Sequence, residues 1–432
     1  MSYRRQKGIP GLYGGDARGL YGSSSYGVRN TMIYGKPPSP RWPKILVAVL
    51  LVIVVVLCVR QFACGGILPQ DNNEQQQQEQ TQQDEQAQQD GQSQEPQQPA
   101  STGVSGTVTI SAVGDCTLGT DADLPEDTNF TKIYNANNSA YFFKRVVSYL
   151  DRDDITIANL EGALTDGGQA QDKGSNSFNF KGPSSYAKIL SKGSVEVCNL
   201  ANNHAFDYGS DGYADTKKAL DKEKIGYFCA DLTYTKEVNG IKVGFLGINA
   251  TAGYDDATTT MKQSVKALQG ENCDLVIGVF HWGVEGSYDV EADQVKLAHA
   301  AVDAGCNLVL GGHPHLLQGV ESYNGANIVY SLGNFVFGGN DDPMDYETLV
   351  YQQNFTFENG QLVAEATANS AQIIPCRLST STKVNNYQPM PVGGKEGTTI
   401  VKNVNKRSDA LKGNAVDFST KLDDENIAKV SQ

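Results

Sequence analysis

Histidines are scarce in this sequence, and most of them lie in short polar motifs. The chain contains five histidines in 432 residues. Four of them occur where hydrophobic runs end, in Asn202-Asn203-His204, Phe280-His281-Trp282-Gly283 and Gly312-His313-Pro314-His315. Imidazole and amide groups, joined by carboxylates, are the ligands that hydrolytic metal centres use. The motifs therefore predict a divalent metal site, without distinguishing Mn, Fe, Zn or Mg.

Two carboxylates follow similar runs earlier in the chain, in Gly114-Asp115 and Asn159-Leu160-Glu161. Taken singly, each motif has an ordinary structural explanation. A Gly-Asp pair commonly forms a turn, Asn commonly caps a helix, and a histidine in an apolar run commonly belongs to the core. Gly312-His313-Pro314-His315 is the most specific motif, because imidazoles two residues apart on an extended segment point the same way.

Strand and helix patterns alternate from about residue 107 onward. Strands are predicted at 107–113, 155–158, 195–200, 242–248, 275–280 and 307–310, and helices at 184–191, 211–222 and 291–304. Runs that resemble antiparallel strands follow at 327–330, 348–356 and 362–368. Such alternation predicts an α/β fold with a largely parallel, covered sheet. Ligands in such folds bind at the carboxyl ends of strands, where the polar motifs lie.

The N-terminal part of the chain differs in composition from the rest. Residues 1–44 are basic and lack a hydrophobic period, so we expect a disordered cytoplasmic tail. An apolar run at 45–59 predicts a transmembrane signal anchor over 45–63, although a buried helix or a cleaved signal peptide is an alternative. The Gln-rich segment 64–105 predicts a flexible stalk. Because basic flanks stay inside, residues 106–432 are expected outside the cell.

Two further domains are predicted, a globular domain over 106–384 and a polar C-terminal tail over 385–432. The formal net charge of the whole chain is −14. Nucleic acid is therefore not an expected partner, because binding to phosphates draws its affinity from clustered Lys and Arg.

Taken in order, the motifs resemble the calcineurin-like metallophosphoesterase signature. More closely, they resemble the CapA family of poly-γ-glutamate capsule biosynthesis proteins, also called PgsA. The resemblance covers roughly residues 107–340. The motifs that carry it are Gly114-Asp115, Ala158-Asn159-Leu160-Glu161-Gly162, Phe180-Lys181-Gly182-Pro183, Leu200-Ala201-Asn202-Asn203-His204 with Asp207-Tyr208-Gly209, His281-Trp282-Gly283, Gly312-His313-Pro314-His315 with Gln318 and Glu321, and Tyr330-Ser331-Leu332-Gly333-Asn334-Phe335.

This resemblance implies a layered α/β sandwich and a role for each motif. Asp115 and Glu161 would be carboxylate ligands, with Glu161 bridging two ions, and His204 would be the general acid. The residues implied as further metal ligands are Asn203, His281 and His313 at one ion and His315 at the other. Lys181 and Trp282 would line the substrate groove, although Lys181 has the alternative of an ordinary exposed lysine. His299 belongs to no motif and is interpreted as structural.

The sequence also departs from the wider phosphoesterase pattern. Where that pattern has Asp-x-His, this chain has Asp115-Cys116-Thr117, and Glu161 replaces an aspartate. Three functions therefore stay open. The first is a metal-dependent hydrolase or transferase acting on γ-linked polyglutamate. The second is a non-catalytic subunit that binds the anionic polymer and a membrane synthase, and the third is a phosphodiesterase.

Overall fold

The computed structural model describes residues 103–121, 130–174, 177–411 and 415–431. The predicted cytoplasmic tail, the signal anchor and nearly all of the predicted stalk lie outside these residues. In the described part of the chain, no helix has both the length and the apolar character that crossing a bilayer requires.

The strands fall into two large sheets and one small one. They are β1 (Gly106–Thr117), β2 (Thr120–Asp121), β3 (Ile155–Leu160), β4 (Ala163–Leu164), β5 (Phe180–Gly182), β6 (Val197–Asn199), β7 (Gly226–Phe228), β8 (Tyr234–Val238), β9 (Ile241–Asn249), β10 (Leu275–His281), β11 (Leu308–Gly312), β12 (Val320–Tyr323), β13 (Ala326–Val329), β14 (Asn334–Phe337), β15 (Glu347–Glu358), β16 (Gln361–Leu362), β17 (Gln372–Arg377), β18 (Met390–Pro391) and β19 (Ala428–Lys429).

Helices lie between these strands along the chain. They are α1 (Phe130–Ala136), α2 (Val147–Leu150), a 3₁₀ turn (Ser184–Tyr186) that leads into α3 (Ala187–Ser191), α4 (Gly209–Glu223), α5 (Tyr254–Gly270), α6 (Ala292–Ala304), α7 (Ala364–Asn369) and α8 (Gly394–Asp409).

Each large sheet is parallel at its centre and antiparallel toward an edge. The first has the order β18-β17-β15-β1-β3-β6-β7, in which β1, β3, β6 and β7 are parallel and β15 and β17 are antiparallel. The second has the order β12-β13-β11-β10-β9-β8, with β9, β10, β11 and β13 parallel. A small sheet, β2-β5-β4, lies apart from both. Parallel strands that share a direction bring their carboxyl ends to one edge.

The two large sheets face each other across an apolar core. Ile110 and Ile157 of the first sheet belong to the same buried cluster as Phe245, Ile277 and Leu310 of the second. Helices cover the outer faces: the second buried cluster joins α3 and α4 to the first sheet, and the third joins α5 and α6 to the second. The result is a layered α/β sandwich, as the sequence predicts.

One local prediction is wrong, and one helix was not predicted. Residues 362–368 were expected to be a strand, but most of this run forms α7, consistent with its alanines and glutamate, which favour helix. Helix α5 was not predicted, because its run of three threonines weakens the helical pattern.

The C-terminal segment is also not the polar tail that its composition suggests. Within it, α8 buries Ile400, Val401 and Val404 in the central core. Strand β19 pairs with β17 in the first sheet. The described residues after 384 are therefore an integral part of the domain.

Candidate metal centre

The polar motifs from both sheets meet at one edge of the sandwich. Asp115 lies near the end of β1 and Glu161 directly follows β3, whereas His281 ends β10 and His313 directly follows β11. The chain bulges at Gly114, where a Cβ atom would collide with the carbonyl oxygen of Gly333. All four of these side chains are buried. Their convergence follows from the shared direction of the parallel strands.

One group of donor atoms surrounds the imidazole of His281. Its Nε2 lies 2.7 Å from Asn203 Oδ1, 3.1 Å from His313 Nδ1 and 3.5 Å from Glu161 Oε1. Donor atoms that share one ion at about 2.1 Å lie roughly 3 Å from one another. Three predicted ligands, Asn203, His313 and Glu161, therefore each lie near the spacing from His281 that a shared ion requires.

A second group forms around Asp115 and His315. His315 Nδ1 lies 3.3 Å from Asp115 Oδ2 and 2.9 Å from Asn334 Oδ1. Candidate ligand atoms of Glu161, His313 and His315 lie within 4.8 Å of one another, and so do those of Asp115, Glu161 and His281. Because Glu161 belongs to both sets, it has the position that a bridging carboxylate requires.

Neither histidine of the Gly-His-Pro-His motif has the extended backbone that the sequence suggests. The φ angles are +94° at His313 and +60° at His315. The left-handed region is unfavourable for residues other than glycine, and such residues cluster at functional sites. Here the turn lets the His313 amide donate to Asp115 Oδ2 at 3.1 Å while both rings face the cluster. A turn, and not strand alternation, brings the two imidazoles together.

Glu161 shows that the cluster fits a cation. Both of its carboxylate oxygens are buried, and neither has a hydrogen-bond partner among the described residues. Burial raises the pKa of this carboxyl group well above its usual value. An unpaired buried carboxylate is costly, and a divalent ion is one group that compensates it.

The neighbouring imidazoles are suited to the same ion. Burial lowers the pKa of His281 well below its usual value and lowers that of His313 to about 3. Both rings are therefore neutral at physiological pH, and a neutral imidazole has a lone pair available for a metal.

His315 behaves differently from the other two ligand histidines. Burial lowers its pKa, but the nearby charges of Glu161 and Asp115 outweigh burial and raise the pKa to about 10. A protonated His315 balances the carboxylates, and a divalent ion must displace that proton before His315 can bind it.

Beside the cluster, His204 forms a pair with Asp207. Its Nδ1 lies 2.7 Å from Asp207 Oδ2, and its Nε2 lies 3.9 Å from Glu161 Oε1. Burial lowers the pKa of His204, and the hydrogen bond to Asp207 opposes that shift. Asp207 also accepts hydrogen bonds from the Phe180 amide and the Lys173 ammonium. The carboxylate thereby fixes one ring nitrogen of His204 and leaves the other facing the candidate ligands.

The two predicted substrate residues have different environments. Lys181 is partly exposed; its ammonium donates to Gly167 O at 3.3 Å and lies 4.8 Å from the centre of the Tyr208 ring. Trp282 is fully buried, and its indole donates to Tyr330 O at 2.8 Å. A side chain in that position packs the core and does not line a groove, so the expected substrate contact of Trp282 is not supported.

His299 is placed away from the cluster. It lies 3.0 Å from Glu321 and stacks on Tyr323 at a ring distance of 3.7 Å. These contacts agree with the structural role predicted for it.

Several functional neighbours received no role from sequence reasoning. Asn159 Nδ2 donates to Asp115 Oδ1 at 2.8 Å and lies 3.2 Å from His281 Nδ1, so it orients two candidate ligands. Asn334 orients His315, as given above, and Asp207 orients His204. Asn159, Asn334 and Asp207 all belong to motifs visible in the sequence. Short polar motifs do not show, however, which residue forms a hydrogen bond with which candidate ligand.

Comparison with known proteins places these motifs in one family. The family described as "Bacterial capsule synthesis protein PGA_cap" matches residues 109–339. The capsule biosynthesis protein CapA of Bacillus anthracis is 31% identical over 259 residues, which are 53% of this chain and 60% of that protein. The PGA biosynthesis protein CapA of Bacillus subtilis is 38% identical over 170 residues, 35% of this chain and 44% of that protein. The chain thus aligns with less than two thirds of either relative.

Solved structures show only distant likenesses. A hypothetical protein from Thermus thermophilus has a TM-score of 0.37 at 17% identity, covering 62% of this chain and 98% of that one. Vps29 from Chaetomium thermophilum has a TM-score of 0.26 at 11% identity, covering 67% and 98%. Scores this low do not establish a shared fold. The family match spans the strands that carry the candidate ligands, and on that basis this chain belongs to the CapA family of bacterial capsule synthesis proteins.

Proposed function

We propose that this protein is a membrane-anchored, extracytoplasmic CapA-family protein that acts on poly-γ-glutamate or a related envelope polymer through a metal-dependent hydrolytic site. The names of its relatives support the polymer class, since they describe capsule, PGA and polyglutamine synthesis proteins. The apolar run at 45–59 and the basic residues before it support the anchor and its orientation.

The observation that carries the hydrolytic part is the environment of Glu161. This buried carboxylate has two unpartnered oxygens, lies among neutral imidazoles, and faces the free ring nitrogen of His204. An ion held by Glu161, Asn203, His281 and His313 would act as a Lewis acid and lower the pKa of bound water.

The chain's own residues would contribute orientation and a proton. Asp207 holds His204 through Nδ1 and stabilises the doubly protonated ring, and in that form Nε2 would donate its proton to a leaving group. Asn159 and the His313 amide hold Asp115 in place through its two oxygens. Lys181, partly exposed beside the site, is suited to pairing with a substrate carboxylate.

A non-catalytic role is the second candidate. The environment of Thr117 is the observation that favours this role. This residue replaces the histidine of the wider phosphoesterase pattern. Its side chain is buried, and its hydroxyl oxygen has no hydrogen-bond partner among the described residues. A site with one ligand fewer would serve as a metal-organised scaffold that binds polymer and a membrane synthase.

Replacing His204 with Ala separates the two candidates. His204 is not a predicted metal ligand, so metal content and folding should be retained. For an enzyme, turnover of γ-linked polyglutamate by the full chain should fall roughly 10²- to 10⁴-fold, the usual contribution of a positioned acid. Metal content, hydrolysis of the polymer and hydrolysis of a generic phosphodiester should be measured together.

Polymer output of cells that carry only one variant completes the test. Normal output with His204→Ala, combined with none with Asp115→Ala, would exclude the hydrolase and leave the scaffold. Loss with both variants, at normal protein level and normal metal content of His204→Ala, would exclude the scaffold. Preferential hydrolysis of the phosphodiester would favour the third function.

A further inference from the structure

A cleft of about 480 Å³ lies outside the candidate metal centre. Its walls are the start of β15, the end of β17 and the first two turns of α8, with Glu347, Arg377, Lys395, Glu396 and Thr399 among its lining residues. Glu347 and Arg377 are opposite each other in the β15–β17 register. The cleft therefore combines a rigid sheet floor with the N-terminal end of a helix, whose dipole favours anions.

The acidic residues at the floor of the cleft already have polar partners. Asn403 Nδ2 donates to Glu347 Oε1 at 2.6 Å, and Arg407 Nη2 donates to Glu347 Oε2 at 3.3 Å. Asp345 accepts a hydrogen bond from Tyr288 at 2.8 Å and has Arg407 at 4.0 Å. One guanidinium is thus shared by two carboxylates and offsets part of their negative charge.

The basic residues of the cleft have only weak partners. Arg377 Nη1 lies 3.7 Å from Glu396, whose side chain is 53% exposed, and the guanidinium carbon lies 5.6 Å from the centre of the Tyr346 ring. Arg377 Nε is buried, so the terminal nitrogens are the donors that can face a ligand. Lys395 is exposed and forms no ion pair within the part of the chain that the structure describes. A guanidinium whose ion-pair partner is exposed, in a cleft that also has an exposed ammonium in its lining, is suited to a carboxylate.

The cleft lies on the same edge of the first sheet as the metal centre. Strand β15 lies between β17 and β1, so Arg377 is two strand spacings, about 10 Å, across the sheet from β1. Because β15 is antiparallel to β1, the first residues of β15 lie on the side of the sheet where β1 ends and where Asp115 lies. The loop at 283–290 contacts both the cleft and the metal centre. Tyr288 of this loop donates a hydrogen bond to Asp345 in the cleft, and the Gly286 amide donates to Pro314 O, next to the candidate ligands, at 2.9 Å.

We propose that this cleft is a carboxylate-binding subsite in which Arg377 and Lys395 hold an α-carboxylate of a γ-linked glutamate chain whose other units extend toward the metal centre. The identity of the polymer rests on the proposed function. The carboxylate chemistry rests on the cleft alone. Arg377 supplies the fixed donor and Lys395 a mobile charge at the rim.

Binding of fluorescently labelled γ-linked hexaglutamate to the full chain tests the subsite without an activity assay. Arg377→Met should raise the dissociation constant about tenfold or more, because it removes hydrogen bonds to a charged group. Lys395→Met should have a smaller effect in the same direction. Lys402→Met is the matched control, since Lys402 is an exposed lysine of the same helix outside the cleft lining. The control should change the constant less than about twofold.

Three results would overturn the subsite. One is equal weakening by Arg377→Met, Lys395→Met and Lys402→Met, which would show only long-range charge attraction. The second is unchanged binding in both cleft variants, and the third is no binding by the unaltered chain. Lys395→Met keeps the test valid if Arg377→Met does not fold, because Lys395 is exposed. Weaker binding of α-linked hexaglutamate would show that the spacing of the carboxylates matters, and equal binding would restrict the proposal to carboxylates in general.

A turnover assay with the same polymer, run beside the binding measurements, distinguishes this proposal from the hydrolase. Selective loss of binding in the cleft variants, with no turnover of polymer by the unaltered chain, would support the subsite and reject the hydrolase. Turnover by the unaltered chain, with binding indifferent to Arg377 and Lys395, would reject the subsite alone.

Discussion

Glu161 is the residue on which the candidate metal centre depends most. It belongs to both sets of closely spaced donor atoms, and its oxygens have no other partner among the described residues. Replacing it with Gln should therefore lower the metal content of the purified chain, and replacing His313 with Ala should do the same. Each change removes a ligand that no adjacent residue replaces.

His299→Ala is the control for both variants, because His299 contacts Glu321 and Tyr323 and not the cluster. Elemental analysis of the three purified variants measures the effect. Equal metal loss from all three would indicate misfolding and remove the support for the ligand assignment.

The proton on His315 makes metal binding depend on pH. Its folded pKa of about 10 lies above the usual histidine value of 6.5, so this proton stabilises the ion-free protein below pH 6.5. That stabilisation is lost as the pH rises through about 10. An incoming ion must displace the same proton, so affinity should increase with pH, by up to about tenfold per unit, between pH 7 and pH 9.

Titration with Mn²⁺ at pH 7, 8 and 9, in buffers with different ionisation enthalpies, measures both affinity and proton release. Equal affinities at the three pH values, without proton release, would contradict a protonated His315. His281 and His313 are already neutral and should contribute no proton.

At the scale of elements, the polar composition of α8 gives a wrong impression of how deeply this helix is buried. Its exposed residues are polar, but Val401 and Val404 are fully buried in the central core. Val404→Ala should lower the free energy of unfolding by about 2 kcal/mol, through lost burial and the cavity that remains. Denaturant titration of Val404→Ala beside Lys402→Ala measures this, because Lys402 is exposed on the same helix. Similar stability of the two variants would mean that the C-terminal segment is peripheral.

The central strands were predictable because they are buried on both faces. Continuous apolar runs such as those of β10 and β11 stand out against polar turns, and helix α6 shows the predicted period with a capping box at Glu291 and Gln294. Short elements were not predictable in this way. The strand predicted at 362–368 is mostly a helix in the structure, because the hydrophobic period of so short a run cannot distinguish a strand from a helix.

At the scale of the whole molecule, the orientation across the membrane is a prediction that stands on the sequence. Residues 1–44 are basic, and the Gln-rich stalk is acidic. Protease added to intact cells should cut the stalk and release the globular domain into the medium. Lysed cells are the control, in which the N-terminal tail should also become accessible. A domain that stays cell-bound and protected, while the tail is cut, would show the opposite orientation.

The sequence by itself determined the family, the parallel α/β class and the candidate ligands, because these depend on local runs and on polar residues at their ends. The resemblance of these motifs to the family implied Asp115, Glu161, Asn203, His281, His313 and His315 as ligands. Only the tertiary structure decided how they meet. It distinguishes Asn203, which reaches His281, from Asn202, which supports the chain near β3.

Other assignments depended wholly on packing between distant segments. The structure moved Trp282 from the groove into the core, paired His204 with Asp207, and placed Arg377 and Lys395 in one cleft. Arg377 and Lys395 come from a strand and a helix that are separated by a loop and the short strand β18, and no local pattern relates them. Which side chains share an edge follows from strand order and register, and those are set by burial between the two sheets rather than by neighbours in the chain.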